Sequence, residues 1–109
     1  MQNGFEKILA SLDDDRDLFA QIAVQVSRHY ADYAEQIEML LADGNSAGLA
    51  RLLHKLKASW ALYVPAQPEL PAQLEMAVRA GDTEAIAKFS PLLLETLRTV
   101  SRQLELWVK

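Results

Sequence analysis

The sequence contains no cysteine. Disulfide bonds, thiolate zinc sites and thiol nucleophiles are therefore excluded for this chain. No stretch approaches the roughly 20 apolar residues that a membrane-spanning helix needs. The opening segment, MQNGFEKILA, includes an early acid and lacks the apolar run of a signal peptide. These absences predict a cytoplasmic protein that does not insert into a membrane.

Several kinds of functional site are missing as well. The net charge is −4 and the basic residues are scattered, so nucleic-acid binding is not expected. The chain has no glycine-rich phosphate loop, which argues against ATP binding and autonomous kinase activity. His29 has Asp32 and Glu35 nearby in the sequence but lacks a Glu-x-x-His pair. We therefore interpret His29 as a surface histidine and expect no metal site.

Glycine and proline are scarce, with four of each among 109 residues. Hydrophobic residues make up 50% of the chain and charged residues 24%, a balance typical of globular proteins. At this length, the composition predicts a single domain over residues 1–109.

The first long helix is predicted from an acidic cap in Asp13–Asp15 to a stop at Gly44. Its apolar positions recur at helical spacing: Leu18, Ile22, Val26, Tyr30, Tyr33, Ile37 and Leu40. The next helix is capped by Asn45 or Ser46 and runs to about Tyr63. The segment VPAQPELP contains three prolines and must end it.

Two further helices are predicted after the prolines. One begins at about Glu69 or Pro71 and stops at Gly81. The last helix is capped by Asp82 or Thr83. The Ser90–Pro91 step either interrupts this helix or kinks it. Its apolar pattern continues through Leu94, Leu97, Val100, Leu104 and Trp107.

A short additional helix fits QNGFEKILASL, and no segment shows the alternation of a β-strand. Amphipathic helices with short connections pack antiparallel to their neighbours. The sequence therefore predicts an all-α fold, an antiparallel four-helix bundle with a short extra N-terminal helix.

The segment LLHKLKASW places His54 on a leucine-rich helix. With about 100° per residue, the residues opposite His54 form a core face: Leu49, Leu52, Leu56, Trp60 and Tyr63. The residues nearest to His54 in this projection are all alanine: Ala47, Ala50, Ala58 and Ala61. Arg51 and Lys57 flank this stripe at about 60° on either side. His54 is therefore predicted to be exposed.

Such a stripe fits an ordinary helix surface or a reactive site. Alanine, lysine and arginine are common on exposed helix faces, and a solitary exposed histidine is usually inert. Alternatively, small neighbours let another protein approach the imidazole closely, and two cations favour an anion at the ring nitrogen. Histidine can act as a nucleophile toward phosphoryl groups, and phosphoryl transfer depends mainly on positioning and charge neutralisation.

The residues His54-Lys55-Leu56-Lys57-Ala58-Ser59 resemble the His-x-Leu-Lys-Gly-Ser signature of the histidine-containing phosphotransfer (HPt) domain family. The resemblance covers nearly the whole chain and includes DDDRDLFAQIAVQV, QIEMLLADGNSAGLARLLH and LEMAVRAGDTEAIAKF. It implies a four-helix bundle that serves as a phosphorelay intermediate in two-component signalling. Such a protein accepts a phosphoryl group from an aspartate of one receiver domain and passes it to another.

The resemblance also implies roles for individual residues. His54 is the phosphorylated residue, and Lys57 and Glu75 are neighbours of the phosphate. The expected docking surface for a receiver domain consists of Ala47, Ala50, Arg51, Lys55, Ala58 and Ala61. The implied partners are receiver domains of response regulators or of a hybrid sensor histidine kinase. The protein itself is expected to be monomeric and to need no cofactor, with any magnesium bound by the receiver.

The chain departs from the family pattern at three places. Ala58 replaces a glycine, Trp60 replaces a small residue, and Tyr63-Val64-Pro65 replaces a downstream glycine. Ala58 and the altered Tyr63-Val64-Pro65 segment support a second hypothesis, in which the protein is a non-catalytic helical adaptor that binds receiver domains without phosphotransfer.

Overall fold

The computed structural model describes residues 15–64 and 67–108, and its helices account for nearly all of them. In chain order they are α1 (Arg16–Asp43), α2 (Ser46–Tyr63), α3 (Leu70–Ala80) and α4 (Thr83–Val108). This described part contains no β-strand, so the predicted all-α class is confirmed. The predicted extra helix within QNGFEKILASL, together with Asp13 and Asp14, lies outside the described residues.

Side-chain caps fix the starts of three helices. Asp15 before α1, Asn45 before α2 and Asp82 before α4 each accept a hydrogen bond from the backbone N–H three residues later, at 3.0, 2.9 and 3.1 Å. These bonds satisfy amide groups that have no partner within the helix. Asn45 and Asp82 are thus the caps among the predicted alternatives.

Glycine ends two of the helices. Gly44 after α1 and Gly81 after α3 both have φ of 67°, in the left-handed region. A residue with a Cβ is strained there, whereas glycine is not. Because this conformation turns the chain back at once, α1 is followed by α2, and α3 by α4, after only a short connection.

The last helix is continuous through Pro91. Of the two predicted alternatives, the structure shows a single helix from Thr83 to Val108 rather than two. Ser90, which precedes the proline, is buried, and within the described part of the chain its hydroxyl has no hydrogen-bond partner.

The four helices form an antiparallel bundle. Helix α1 packs against α4 and α2 against α3, and further contacts join α3 to α4 and α1 to α2. The largest fully buried side chains of the common core are Trp60, Tyr30, Ile37, Leu53, Leu56, Leu74, Leu93, Leu97 and Leu104, with Pro71. No helix among the described residues is long and apolar enough to cross a membrane.

Two polar contacts join separate parts of the bundle. Ser27 on α1 and Ser101 on α4 exchange hydrogen bonds: each hydroxyl donates to the other residue's carbonyl, at 2.9 and 2.8 Å. The Trp60 indole N–H donates to the Gln67 carbonyl at 2.7 Å, which joins α2 to the segment before α3. Most buried polar groups in folded proteins are paired in this way.

The predicted apolar stripe of α1 is wrong at its first position. Leu18 is 40% exposed, whereas the neighbouring Phe19 is 4% exposed and lies in the core. Both residues fit helical spacing from Ile22 onward, at intervals of four and three residues respectively. Helical spacing alone therefore does not decide which of the two is buried.

Candidate functional site

His54 lies in the middle of α2 and faces outward. Its side chain is 69% exposed, whereas Leu56 and Trp60 are completely buried and Leu52 is 9% exposed. The prediction of an exposed histidine opposite a buried leucine face is therefore confirmed. The helical period alone produces this arrangement, because one flank of α2 must enter the core.

The carboxylate of Glu75 on α3 lies next to His54 and is held by two cations. Lys57 Nζ is 2.8 Å from Oε1, while Arg79 Nη2 and Nε are 2.9 and 3.0 Å from Oε2. The Glu75 side chain is only 8% exposed, although both cations reach solvent. A carboxylate this deeply covered requires charged partners to remain ionised.

The Lys57 hydrogen bond lowers the pKa of the Glu75 carboxyl from its ordinary value of 4.5. Burial acts in the opposite direction, and the hydrogen bond from Arg79 adds to the lowering. The cations therefore outweigh desolvation, and Glu75 is negatively charged at neutral pH.

The ring of His54 approaches the same carboxylate through Nδ1. The distance from Nδ1 to Glu75 Oε2 is 3.7 Å, which is longer than a hydrogen bond but close enough for an electrostatic interaction. Nδ1 is thus the nitrogen that faces a fixed negative charge. If Nδ1 holds the proton, Nε2 has its lone pair available for attack on an electrophile.

Four of the six residues predicted to form a docking surface are exposed, as such a surface requires. Ala47, Arg51, Lys55 and Ala58 are exposed around His54. The backbone of the fifth residue, Ala61, is in α2, but its side chain lies outside the described part of the structure.

The prediction that Ala50 lies on the exposed surface is wrong, because Ala50 is 3% exposed and belongs to the core. It lies at about 40° from His54 in helical projection, on the same side as Lys57. That flank of α2 faces α3, as the contact between Lys57 and Glu75 shows. A helix flank this close to the exposed face is buried only because α3 covers it.

An open groove of about 470 Å³ adjoins His54. Its lining combines the apolar Leu40 and Leu52 with three cationic side chains, which are Arg51, Lys55 and Arg79. Among the described residues, no carboxylate lies within 4 Å of Arg51 or Lys55. The surface beside the histidine is therefore locally positive, although the chain as a whole is acidic.

Ser59, the serine of the motif, contacts α1 rather than His54. Its hydroxyl forms a 3.0 Å hydrogen bond with the Tyr30 hydroxyl. The Tyr30 ring stacks on Trp60, with centroids 6.2 Å apart. This contact ties the end of α2 to α1 and thereby fixes the helix on which His54 lies.

Sequence reasoning missed Arg79, which is one of the two cations on Glu75. The signal was present, because Glu75 and Arg79 are four residues apart on one helix and such pairs meet on its surface. His29 is exposed on α1, as predicted. Across residues 15–64 and 67–108, the side chains that are described include no cluster of three potential metal ligands.

No family model, curated protein or solved structure matches this chain. The functional interpretation therefore depends on the geometry around His54 and on the resemblance of its motif.

Proposed function

We propose that this protein is a phosphorelay intermediate that transfers a phosphoryl group between receiver domains through His54. The observation that supports this function best is the exposed imidazole, with an ionised carboxylate facing Nδ1 and with Lys57 anchored beside it. An exposed histidine without such neighbours would be an ordinary surface residue.

The proposed reaction needs little from the protein beyond positioning. His54 Nε2 attacks the phosphorus of a receiver aspartyl phosphate, the N–P bond forms, and the P–O bond to the aspartate breaks, which releases a carboxylate. The proton on Nδ1 stays on the ring, which becomes positively charged while it holds the phosphoryl group. Glu75 offsets that charge, and nearby cations offset the charge of the phosphoryl oxygens. Attack by a second receiver aspartate reverses these steps.

The charge distribution supports a receiver domain as the partner. A phosphorylated receiver presents an anionic aspartyl phosphate, and the groove beside His54 is lined by Arg51, Lys55 and Arg79. Opposite charges at an interface increase the rate of encounter and fix its orientation. Ala47 and Ala58 add little bulk near the ring, so the aspartyl phosphate can reach the imidazole.

The experiment that tests this function is a transfer assay. The protein is incubated with a phosphorylated receiver domain, and labelled phosphate is followed by gel electrophoresis. We expect acid-labile, base-stable label on His54, loss of label in His54→Gln, and full labelling in the matched control His29→Gln. Label that persists in His54→Gln, or that appears on another residue, would contradict the proposal.

A second candidate function, a receiver-binding adaptor without phosphotransfer, is favoured by one observation. Ala58 is exposed one helical turn after His54, where the resembled family has glycine. Its methyl group lies where an incoming receiver comes closest to the ring. Binding of a receiver without any transfer, followed by transfer in Ala58→Gly, would favour the adaptor over the relay.

A further inference from the structure

We propose that Arg79 is a positioning residue that acts through Glu75 and limits the hydrogen bond between Glu75 and the His54 ring. The effect of Arg79 on phosphotransfer rests on the proposed function, because the tautomer of His54 decides whether Nε2 can attack a phosphoryl group. Its structural basis is the arrangement of donors around one carboxylate.

The two oxygens of Glu75 have different partners. Oε1 receives Lys57 Nζ at 2.8 Å. Oε2 receives two donors of one guanidinium, Arg79 Nη2 at 2.9 Å and Nε at 3.0 Å. Oε2 is also the oxygen that faces His54 Nδ1, at 3.7 Å. Arg79 and the imidazole therefore compete for the same acceptor.

Arg79 has the stronger position in this competition. The Arg79 guanidinium makes a charge-assisted hydrogen bond to Oε2 through Nε and brings Nη2 within 2.9 Å of the same oxygen, whereas the 3.7 Å approach of Nδ1 is beyond hydrogen-bond length. The terminal torsion of a glutamate is otherwise broad. Arg79 on one oxygen and Lys57 on the other fix the carboxylate plane and hold it slightly away from the ring.

Removal of Arg79 leaves Oε2 with a single neighbouring donor. Lys57 still holds Oε1, and the Glu75 side chain remains nearly enclosed, so the carboxylate stays beside the ring. A buried acceptor without a partner is costly. The freed Oε2 is therefore expected to approach Nδ1 and accept its proton in a hydrogen bond, which increases the fraction of neutral His54 with the proton on Nδ1.

This role has a consequence for the relay. The Nδ1–H tautomer leaves Nε2 free to attack, and a firm bond to Glu75 also stabilises the positive ring that holds a phosphoryl group. By sharing Oε2 with Arg79, the wild-type site keeps that bond weak. His54 can then both accept the phosphoryl group and release it.

The test is nitrogen NMR of the His54 ring in the full chain at a pH where the ring is neutral. In Arg79→Gln, we expect the ratio of Nδ1–H to Nε2–H tautomer to rise severalfold, by up to about tenfold. A tenfold change corresponds to about 1.4 kcal/mol, at the upper end of the net contribution of one hydrogen bond. The double variant Arg79→Gln with Glu75→Gln should not show the rise, because the acceptor charge is gone.

Arg51→Gln is the matched control. It removes the same charge from the same groove, but among the described residues no carboxylate lies within 4 Å of Arg51. An unchanged ratio in Arg79→Gln, an equal rise in Arg51→Gln, or a rise that survives Glu75→Gln would overturn the inference. If Arg79→Gln does not fold, Arg79→Lys keeps the charge without the two-donor fork and should give a smaller rise. A wild-type ratio in that variant would contradict the role of the fork.

The NMR measurement requires no receiver domain, so the two proposals fail separately. A ratio that responds to Arg79, in a protein that no receiver phosphorylates, would refute the relay and leave the positioning role intact. Phosphotransfer through His54, together with a tautomer ratio that is unchanged in Arg79→Gln, would support the relay and refute the positioning role of Arg79.

Discussion

Truncation of Leu56 tests the orientation of the helix that presents His54. Leu56 is completely buried in the common core, two residues from the exposed histidine. Leu56→Ala removes three carbon atoms from the interior, and each buried methylene contributes about 0.8 kcal/mol. The transfer loss is therefore about 2.4 kcal/mol, and the cavity that remains brings the expected destabilisation to about 3–4 kcal/mol.

Two variants serve as controls in the same assay, which is denaturant unfolding followed by circular dichroism. Leu106→Ala makes the same chemical change at a helical position that is 64% exposed, so we expect a loss below about 1 kcal/mol. His54→Ala should change stability by no more than about 0.5 kcal/mol, as is usual for an exposed side chain.

The order of the three unfolding free energies decides the result. If His54→Ala proves more destabilising than Leu56→Ala, the buried face of α2 has been assigned incorrectly. Equal losses for Leu56→Ala and Leu106→Ala would show that the core is not packed around Leu56, and that α2 does not present His54 as described.

Three other predictions concern the site and its support. Ala58→Gly should lower the unfolding free energy by about 1 kcal/mol, because glycine is the poorer residue at an exposed helical position; transfer from the cognate receiver should be nearly unchanged, and transfer from non-cognate receivers should improve. The lowered pKa of Glu75, caused chiefly by Lys57, stabilises the fold at neutral pH, and this contribution is lost as the pH falls below about 4.5. Denaturant midpoints should therefore fall less steeply with acid in Glu75→Gln than in wild type, and parallel slopes would contradict the ion-pair cluster. Burial raises the pKa of Tyr30 to about 12. The protonated Tyr30 hydroxyl therefore contributes to the stability of the fold below the ordinary pKa of 10.0, and this contribution is lost as the pH rises toward 12. Burial also raises the pKa of Tyr63, so Tyr30→Phe should remove one delayed component of the phenolate titration and leave another; a titration unchanged by that substitution would refute the burial of the Tyr30 hydroxyl.

The helix boundaries could be predicted because their causes are local. Asp15, Asn45 and Asp82 each bond an amide three residues away, and Gly44 and Gly81 stop helices through their own backbone conformation. Such signals need no knowledge of the rest of the fold.

The outward direction of His54 was also determined by sequence, since the period of the helix separates it from Leu56 and Trp60. The family resemblance pointed to Lys57 and Glu75, and the structure places Glu75 beside both Lys57 and His54; a role for Lys57 and Glu75 next to a phosphate stays a prediction. Whether His54 receives a phosphoryl group stays a prediction.

Tertiary packing decided which flank of each helix is buried, because helical periodicity leaves this open. Sequence alone gives the angle of a residue around its helix but not which neighbouring helix covers each flank. Ala50 lies at a small angle from His54 and is nevertheless buried, because α3 packs on that side. The same placement brings Lys57 to Glu75, 18 positions further along the chain, and lets Arg79 complete the cluster from within α3. The exposure of His54 follows from the period of its own helix, whereas the placement of the charged groups around it follows from the contact between α2 and α3.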